Sequence, residues 1–260
     1  MQAKRLPARH GMLWLLASFR LFRMNPPLIT ALAVGYLLVA ITLNLIPVVG
    51  PILVPLALPT LMVVVANGCR AIEAGHSGAG INLLHGIQNQ RVALVRLGGL
   101  NLLGSIFILV GVLLITGGSG SPLSAGQPLD QEETFSFLLQ VLLVALPVAS
   151  AFWFAPLLTA WDGVPPLKSV FFSFVASWRN WRAFAAFGVS ILVVAIAVPN
   201  LLILAVAAVS TTLAGALSVI VKMALILVML PVLMASMFIS YRDVFHGPAA
   251  AEADAEPQQS

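Results

Sequence analysis

The chain has 260 residues, 60% of them apolar and 8% charged, with 13 Lys and Arg against 9 Asp and Glu. Soluble domains run at roughly 45–50% apolar and 25% charged, so a water-soluble globule of this composition would lack the polar side chains needed to cover its surface. Its single cysteine, Cys69, excludes an intramolecular disulfide and a cysteine-based metal cluster. A buried, unreactive Cys69 is the expectation, because nothing nearby in sequence would generate a thiolate.

At the N-terminus, Lys4, Arg5 and Arg9 precede an apolar stretch that looks like a secretory leader. Arg20 and Arg23 interrupt it and no small-residue cleavage site follows, so the segment is expected to be retained. A hydrocarbon core about 30 Å thick takes ~20 helical residues. Residues 24–69 carry no charge and exceed one span, and Pro47, Gly50 and Pro51 mark a turn. This predicts spans at 28–46 and 52–69. A third follows at 97–116 and a fourth at 135–160, separated by a Gly, Ser and Pro-rich segment with Asp130, Glu132 and Glu133. Residues 183–241 are two spans long, predicted at 183–205 and 219–241 with a turn between Ser210 and Ser218. The stretch 247–260, rich in Ala, Glu, Pro and Gln, reads as a disordered acidic tail. The fold class is an all-α polytopic transmembrane bundle of about six spans, with residues 1–246 as one membrane domain.

Basic residues fall in alternate connections. Lys4, Arg5, Arg9, Arg20 and Arg23 precede the first span, Arg70, Arg91 and Arg96 follow the second, Lys168, Arg179 and Arg182 follow the fourth, and Arg242 follows the sixth. Cytoplasmic loops collect Lys and Arg, so both termini are expected in the cytoplasm. These residues are topology signals, and no nucleic-acid partner is expected. Lys222 stands apart near the expected outer mouth of span six. There its ammonium would snorkel to the interface, the alternative being an ion pathway.

Two stretches share a spacing: Ser18 and Phe19 with Asn25, and Ser173 and Phe174 with Asn180, each just before a span. The returning spans match too, since Pro59 to Met62 precede Arg70 as Pro231 to Met234 precede Arg242. The pattern predicts an internal repeat of pre-span helix, span, turn and span. Because each copy has an even number of spans, the copies enter the membrane in the same direction. A middle copy beginning at Leu84, His85, Gly86 and Ile87 is the weakest match. In the pre-span segments Arg20 and Arg23, and Arg179 and Arg182, each share a helical face beside aromatic residues. Helices lying among lipid headgroups have this character, so these four arginines are the candidate anionic-lipid site. Plain interfacial anchoring is the alternative.

Phe19 to Phe22 leading to Asn25 and Pro26, Ser173 and Phe174 leading to Arg179, Asn180 and Trp181, and Ser240 to Asp243 resemble an uncharacterised proteobacterial inner-membrane family. The resemblance covers nearly the whole chain except the tail and the outer loop. It implies a bacterial inner membrane and supplies no catalytic residues. A likeness to the membrane portions of some glycerophosphodiester phosphodiesterases is architectural, and their catalytic domain is missing.

Residues 117–120 fit the G-x-S-G pattern of intramembrane serine proteases, but Ser119 maps to the outer loop. His10, His76, His85 and His246 map to the other side, so no base would reach the serine. Asp162 and Gly163 match only the start of the CDP-alcohol phosphotransferase motif, and Asp162 reads as a loop or span-end residue. Pro59, Pro147, Pro156 and Pro231 should kink their spans. No catalytic residue, metal site or cofactor is expected. The leading expectation is a non-enzymatic structural, accessory or anchoring protein of the envelope. A transporter or channel for a small solute is the alternative, resting on Asn44, Asn67, Asn101 and Asn200 within the spans. Reporter fusions after Gly75, Ser124, Gly163 and Gly247 should read inside, outside, inside and inside. An external C-terminus or an internal Ser124 would refute this topology.

Overall fold

The computed structural model describes residues 3–76, 81–116 and 131–247. The G-x-S-G segment and all of the tail beyond Gly247 lie outside the described residues. The helices run in the order α1 (Arg9–Met24), α2 (Pro26–Asn44), α3 (Gly50–Glu73), α4 (Arg91–Ile115), α5 (Gln131–Trp153), α6 (Ala155–Ala160), α7 (Pro166–Arg179), α8 (Trp181–Ile191), α9 (Val198–Ala207), α10 (Thr211–Ala224) and α11 (Leu230–Phe245). Two π-helical stretches, Leu192–Ala197 and Leu225–Met229, join α8 to α9 and α10 to α11. Each is followed by a proline, Pro199 or Pro231, near the start of the next helix. Proline has no N–H to give to the carbonyl four residues back, and a wider turn accommodates that loss.

Among the described residues, six stretches are long and apolar enough to cross a membrane: Pro26–Asn44, Gly50–Glu73, Arg91–Ile115, Thr134–Ala160, Trp181–Ala207 and Thr211–Phe245. They overlap the ranges expected from sequence, with one correction. The last turn closes at Ala208 to Ser210, at the edge of the expected interval, and the sixth span begins at Thr211 rather than 219. Ser210 is its N-cap and accepts the Leu213 N–H at 3.4 Å, which satisfies one of the donors a helix start leaves open.

The chain divides into two compact units. The first comprises Met1–Ile41, Leu61–His85 and Ala176–Ser260. Its interior collects Trp14, Ile29, Val63, Cys69, Val232, Met237 and Tyr241, all almost wholly buried. Here α1 packs on α8 and α11. Gly11 is seated on the backbone of Ala183 and Phe187, where any Cβ would overlap the Ala183 carbonyl. Asn67 donates to the carbonyls of Leu83 and His85 at 2.8 and 2.9 Å.

The second unit comprises Thr42–Thr60 and Gly86–Val175. Its helices approach through glycines, as membrane helices do where dispersion contact replaces the hydrophobic drive. A Cβ at Gly98 would strike the Leu56 backbone, and Gly104 and Gly111 face Val148 and Val144. Pro59 lies inside α3 and cannot donate to the Pro55 carbonyl. Asn101 of α4 donates to that carbonyl instead, at 3.0 Å.

The fourth span breaks at Phe154, with Pro156 opening α6. In a continuous helix the Phe154 N–H would serve the Ser150 carbonyl. Ser173 of α7 takes both roles, accepting from the Phe154 N–H at 2.9 Å and donating to the Ser150 carbonyl at 2.9 Å. Residues 83–90 form successive turns rather than a pre-span helix, so the expected middle copy lacks its first element. Gly86 explains why: it has φ +77° and lies against the Ala160 carbonyl, where a side chain would collide.

Adjacent glycines give a controlled test of helix packing. Gly98→Ala must displace the Leu56 backbone and should cost about 1–3 kcal/mol, lowering the thermal unfolding midpoint in detergent. Gly99→Ala meets nothing within 4 Å and should leave that midpoint unchanged or slightly raised. Equal effects at both positions would contradict the close approach.

Candidate functional site

Both pre-span segments expected from sequence are helices, and each has two contrasting faces. On α1, Gly11, Trp14, Leu15, Ser18, Leu21 and Phe22 are buried. Trp14 meets Phe184 and Phe187 of α8 edge-on, with ring centroids 5.2 and 6.3 Å away. The opposite face does not turn polar as a water-facing helix would. It exposes Met12, Leu13, Leu16 and Phe19 among Arg20 and Arg23.

On α7 the usual arrangement is reversed. Its inward residues are Ser169, Ser173, Ala176 and Ser177, all buried. The first two are held by specific bonds, since the Thr159 hydroxyl donates to that of Ser169 at 2.8 Å and Ser173 plugs the break in the fourth span. The outward residues are Leu167, Phe171, Phe172, Phe174 and Trp178, and Leu167 and Trp178 are each 71% exposed. Trp181, Arg179 and Arg182 continue this exposed surface at the joint with α8. A helix with small polar groups inside and aromatics outside is stable only where the outside is itself partly apolar. The headgroup region of a bilayer is such a medium, and Trp with Arg is its usual composition.

All four candidate arginines are exposed: Arg20, Arg23, Arg179 and Arg182. They form two pairs rather than one cluster. The Gly11 contact with Ala183 sets the N-terminal half of α1 beside the start of α8, next to Arg182. Arg20 and Arg23 lie nine and twelve residues further along α1, about 14 and 18 Å at 1.5 Å per residue. The sequence, which shows only the matched spacing within each pair, contains no signal for this separation.

The basic end of the first unit has an ion pair that no sequence spacing signals. Arg242 of α11 bonds Glu73 at the end of α3, and also Asp243 at 3.0 Å. Asp162 lies in the turn after α6, ahead of Gly163 at φ +64°, and Cys69 is fully buried.

Asn25 and Asn180, the matched asparagines, occupy the same kind of joint between a short helix and a span. Asn25 accepts the Leu28 N–H at 3.2 Å, a local cap. Asn180 reaches the N-terminal segment instead. Its Oδ1 accepts the Leu6 N–H at 2.8 Å, and its Nδ2 donates to the carbonyls of Lys4 and Ala176, both at 2.9 Å. The Lys4 N–H in turn donates to the Val244 carbonyl at 2.8 Å. Residues 4–6 are thereby laced between α7, α8 and the end of α11. Among the asparagines expected to line a path if there were one, Asn67 and Asn101 serve backbone carbonyls of other segments, and Asn200 donates to its own Ile196 carbonyl at 2.8 Å.

Asn180→Ala removes three hydrogen bonds at once and should release the N-terminal segment. Limited trypsin digestion would then cut after Arg5 and Arg9 several times faster than in the parent, with helix content preserved. Unchanged cleavage would show that Asn180 does not hold the segment.

Among known proteins, the chain is 35% identical over 202 residues to a Burkholderia thailandensis protein named as a probable inner membrane protein, an alignment covering 72% of this chain and 74% of that one. No family model matches the chain. No solved structure matches it either.

Proposed function

The chain belongs to the family of the Burkholderia thailandensis probable inner membrane protein, and from that premise we propose a non-enzymatic, multi-pass component of a bacterial inner membrane. Its role is structural, accessory or anchoring, and it is carried out at the inner leaflet by contact with anionic lipid. Both termini are cytoplasmic in this reading, because the alternate connections that hold Lys and Arg include the two ends of the chain.

The observation that carries the lipid contact is the composition of two exposed helix faces. On α1 and α7, Phe19, Phe171, Phe174 and Trp178 project outward beside Arg20, Arg23 and Arg179. The aromatic rings hold each helix at headgroup depth, and the guanidinium groups present paired donors at the height of the phosphates. Arginine suits such a contact better than lysine because its planar fork bonds two phosphate oxygens together. Polar residues within the spans have structural employment. Asn67 and Asn101 satisfy carbonyls and Cys69 fills the interior, and this supports the non-enzymatic reading over transport.

Glutamine in place of all four arginines keeps much of the stem while removing the charge. Each basic residue at an anionic surface contributes about 1 kcal/mol, so the quadruple variant should co-purify with several-fold less phosphatidylglycerol and cardiolipin relative to phosphatidylethanolamine. Lipid mass spectrometry on native-lipid particles, at matched thermal stability, provides the measurement. Equal retention would reduce the arginines to topology signals and overturn the lipid-contact role.

A further inference from the structure

Lys222 stands alone as a charged residue between Arg182 and Arg242, and the structure changes its place. With α10 starting at Thr211, Lys222 lies eleven residues into the sixth span rather than at its mouth. That is about 16 Å from the outer end of the helix. A second ruler comes from the opposite side. The Thr30 hydroxyl, one turn into α2, donates to the Leu227 carbonyl at 3.4 Å. Lys222 is five residues beyond Leu227, about 7 Å further from the basic end. Both rulers put Lys222 near mid-depth, and its four-carbon stem covers less than half the distance to either surface.

Lys222 is also exposed on the outer surface of its unit, and among the described residues it has no hydrogen bond or ion pair. Val219, Ile220 and Met223 around it are 60%, 65% and 54% exposed. An ammonium in such surroundings faces hydrocarbon, whereas ionisable residues inside membranes are found paired or turned toward a polar cavity. The charge therefore calls for an acceptor from another molecule. A second copy of this chain cannot offer a carboxylate there. Its Asp and Glu residues are at 73, 130, 132, 133, 162, 243 and in the tail, all at or beyond the ends of spans. The surface beside Lys222 suits the approach of a helix. Gly215 and Ser218 share its face, the Ser218 hydroxyl is turned onto the Gly215 carbonyl at 2.7 Å, and the space where a Gly215 Cβ would be is open.

We propose that the Gly215, Ser218 and Lys222 face of α10 receives a transmembrane helix of another protein that carries a carboxylate at mid-depth. Glycine and serine let the two backbones approach, and the Lys222 ammonium pairs with the partner's carboxylate, so each charge is neutralised only in the complex. The residues involved are separate from the arginine-bearing faces of α1 and α7, so this partner and the lipid contact can fail independently.

The test uses the full chain in phosphatidylcholine vesicles, labelled through Ser260→Cys in the tail. The probes are labelled synthetic Leu and Ala transmembrane peptides with a single central Glu, Gln or Leu. Energy transfer should report about tenfold tighter association of the Glu peptide than of the other two, a difference equivalent to about 1.4 kcal/mol. Lys222→Arg should keep the preference and Lys222→Leu should remove it. Equal transfer from all three peptides with the unmodified residue at 222 overturns the proposal without relying on any variant at that position. So does a Glu preference that survives Lys222→Leu. Replacing a third of the phosphatidylcholine by phosphatidylglycerol should leave the preference intact, and its disappearance would assign Lys222 to lipid phosphate instead of a partner helix.

Discussion

A backbone carbonyl or N–H freed inside a membrane has no water to turn to, and the architecture of this protein is organised around answering that demand. Prolines create the problem repeatedly. Pro59 leaves the Pro55 carbonyl open, and Asn101 from the next helix closes it. The break ahead of Pro156 opens both the Phe154 N–H and the Ser150 carbonyl, and one hydroxyl, that of Ser173, serves the two groups together. In each case a small polar side chain from a neighbouring helix supplies what the broken helix cannot. The same side chain then fixes the pairing of those helices, because leaving the freed group in hydrocarbon costs several kcal/mol by the usual estimate.

That constraint explains the reversed pattern of α7. Its inward face is polar because the groups it must satisfy lie inward: the broken fourth span for Ser173, and the Thr159 hydroxyl for Ser169. Its large apolar residues are displaced to the outside, where Phe171, Phe174 and Trp178 meet a medium that accepts them. On α1 the inward face is aromatic and apolar, with Trp14 against Phe184 and Phe187, yet its outward face reaches the same blend of aromatic residues and arginine. Two helices with opposite interiors share one exterior. A common surrounding at headgroup depth accounts for this more simply than any common internal requirement, and it is the physical basis of the lipid-contact reading.

The repeated spacing in the sequence has a related lesson. Asn25 and Asn180 occupy equivalent joints, but one caps its own helix and the other holds residues 4–6 against α11. Ser18 and Ser173 diverge in the same way: Ser18 bonds its own Trp14 carbonyl at 2.7 Å, whereas Ser173 bridges a break in another helix. A side chain kept in register within a repeat can acquire long-range partners in one copy and remain local in the other.

The sequence by itself determined the membrane class, the number of spans and the approximate position of each. These follow from the length of uncharged apolar runs measured against the thickness of a bilayer, a property carried by single residues in order. It also located the arginine and aromatic segments before the first and fifth spans, since helical spacing puts Arg20 with Arg23 and Arg179 with Arg182 on common faces. The tertiary structure alone decided how these pieces are used. The last turn was misplaced because residues 183–221 hold neither a charge nor a glycine and proline cluster, and only the Ser210 cap defines where the helix restarts. The two arginine pairs are separated because Gly11 seats α1 on Ala183, a contact between residues 172 positions apart. Ser173 finds its partners 19 and 23 residues away, and Asn180 finds Lys4 176 residues away. Composition and periodicity are sums over one strand of text, whereas a satisfied carbonyl depends on where two distant atoms meet, and that is set only when the helices have packed.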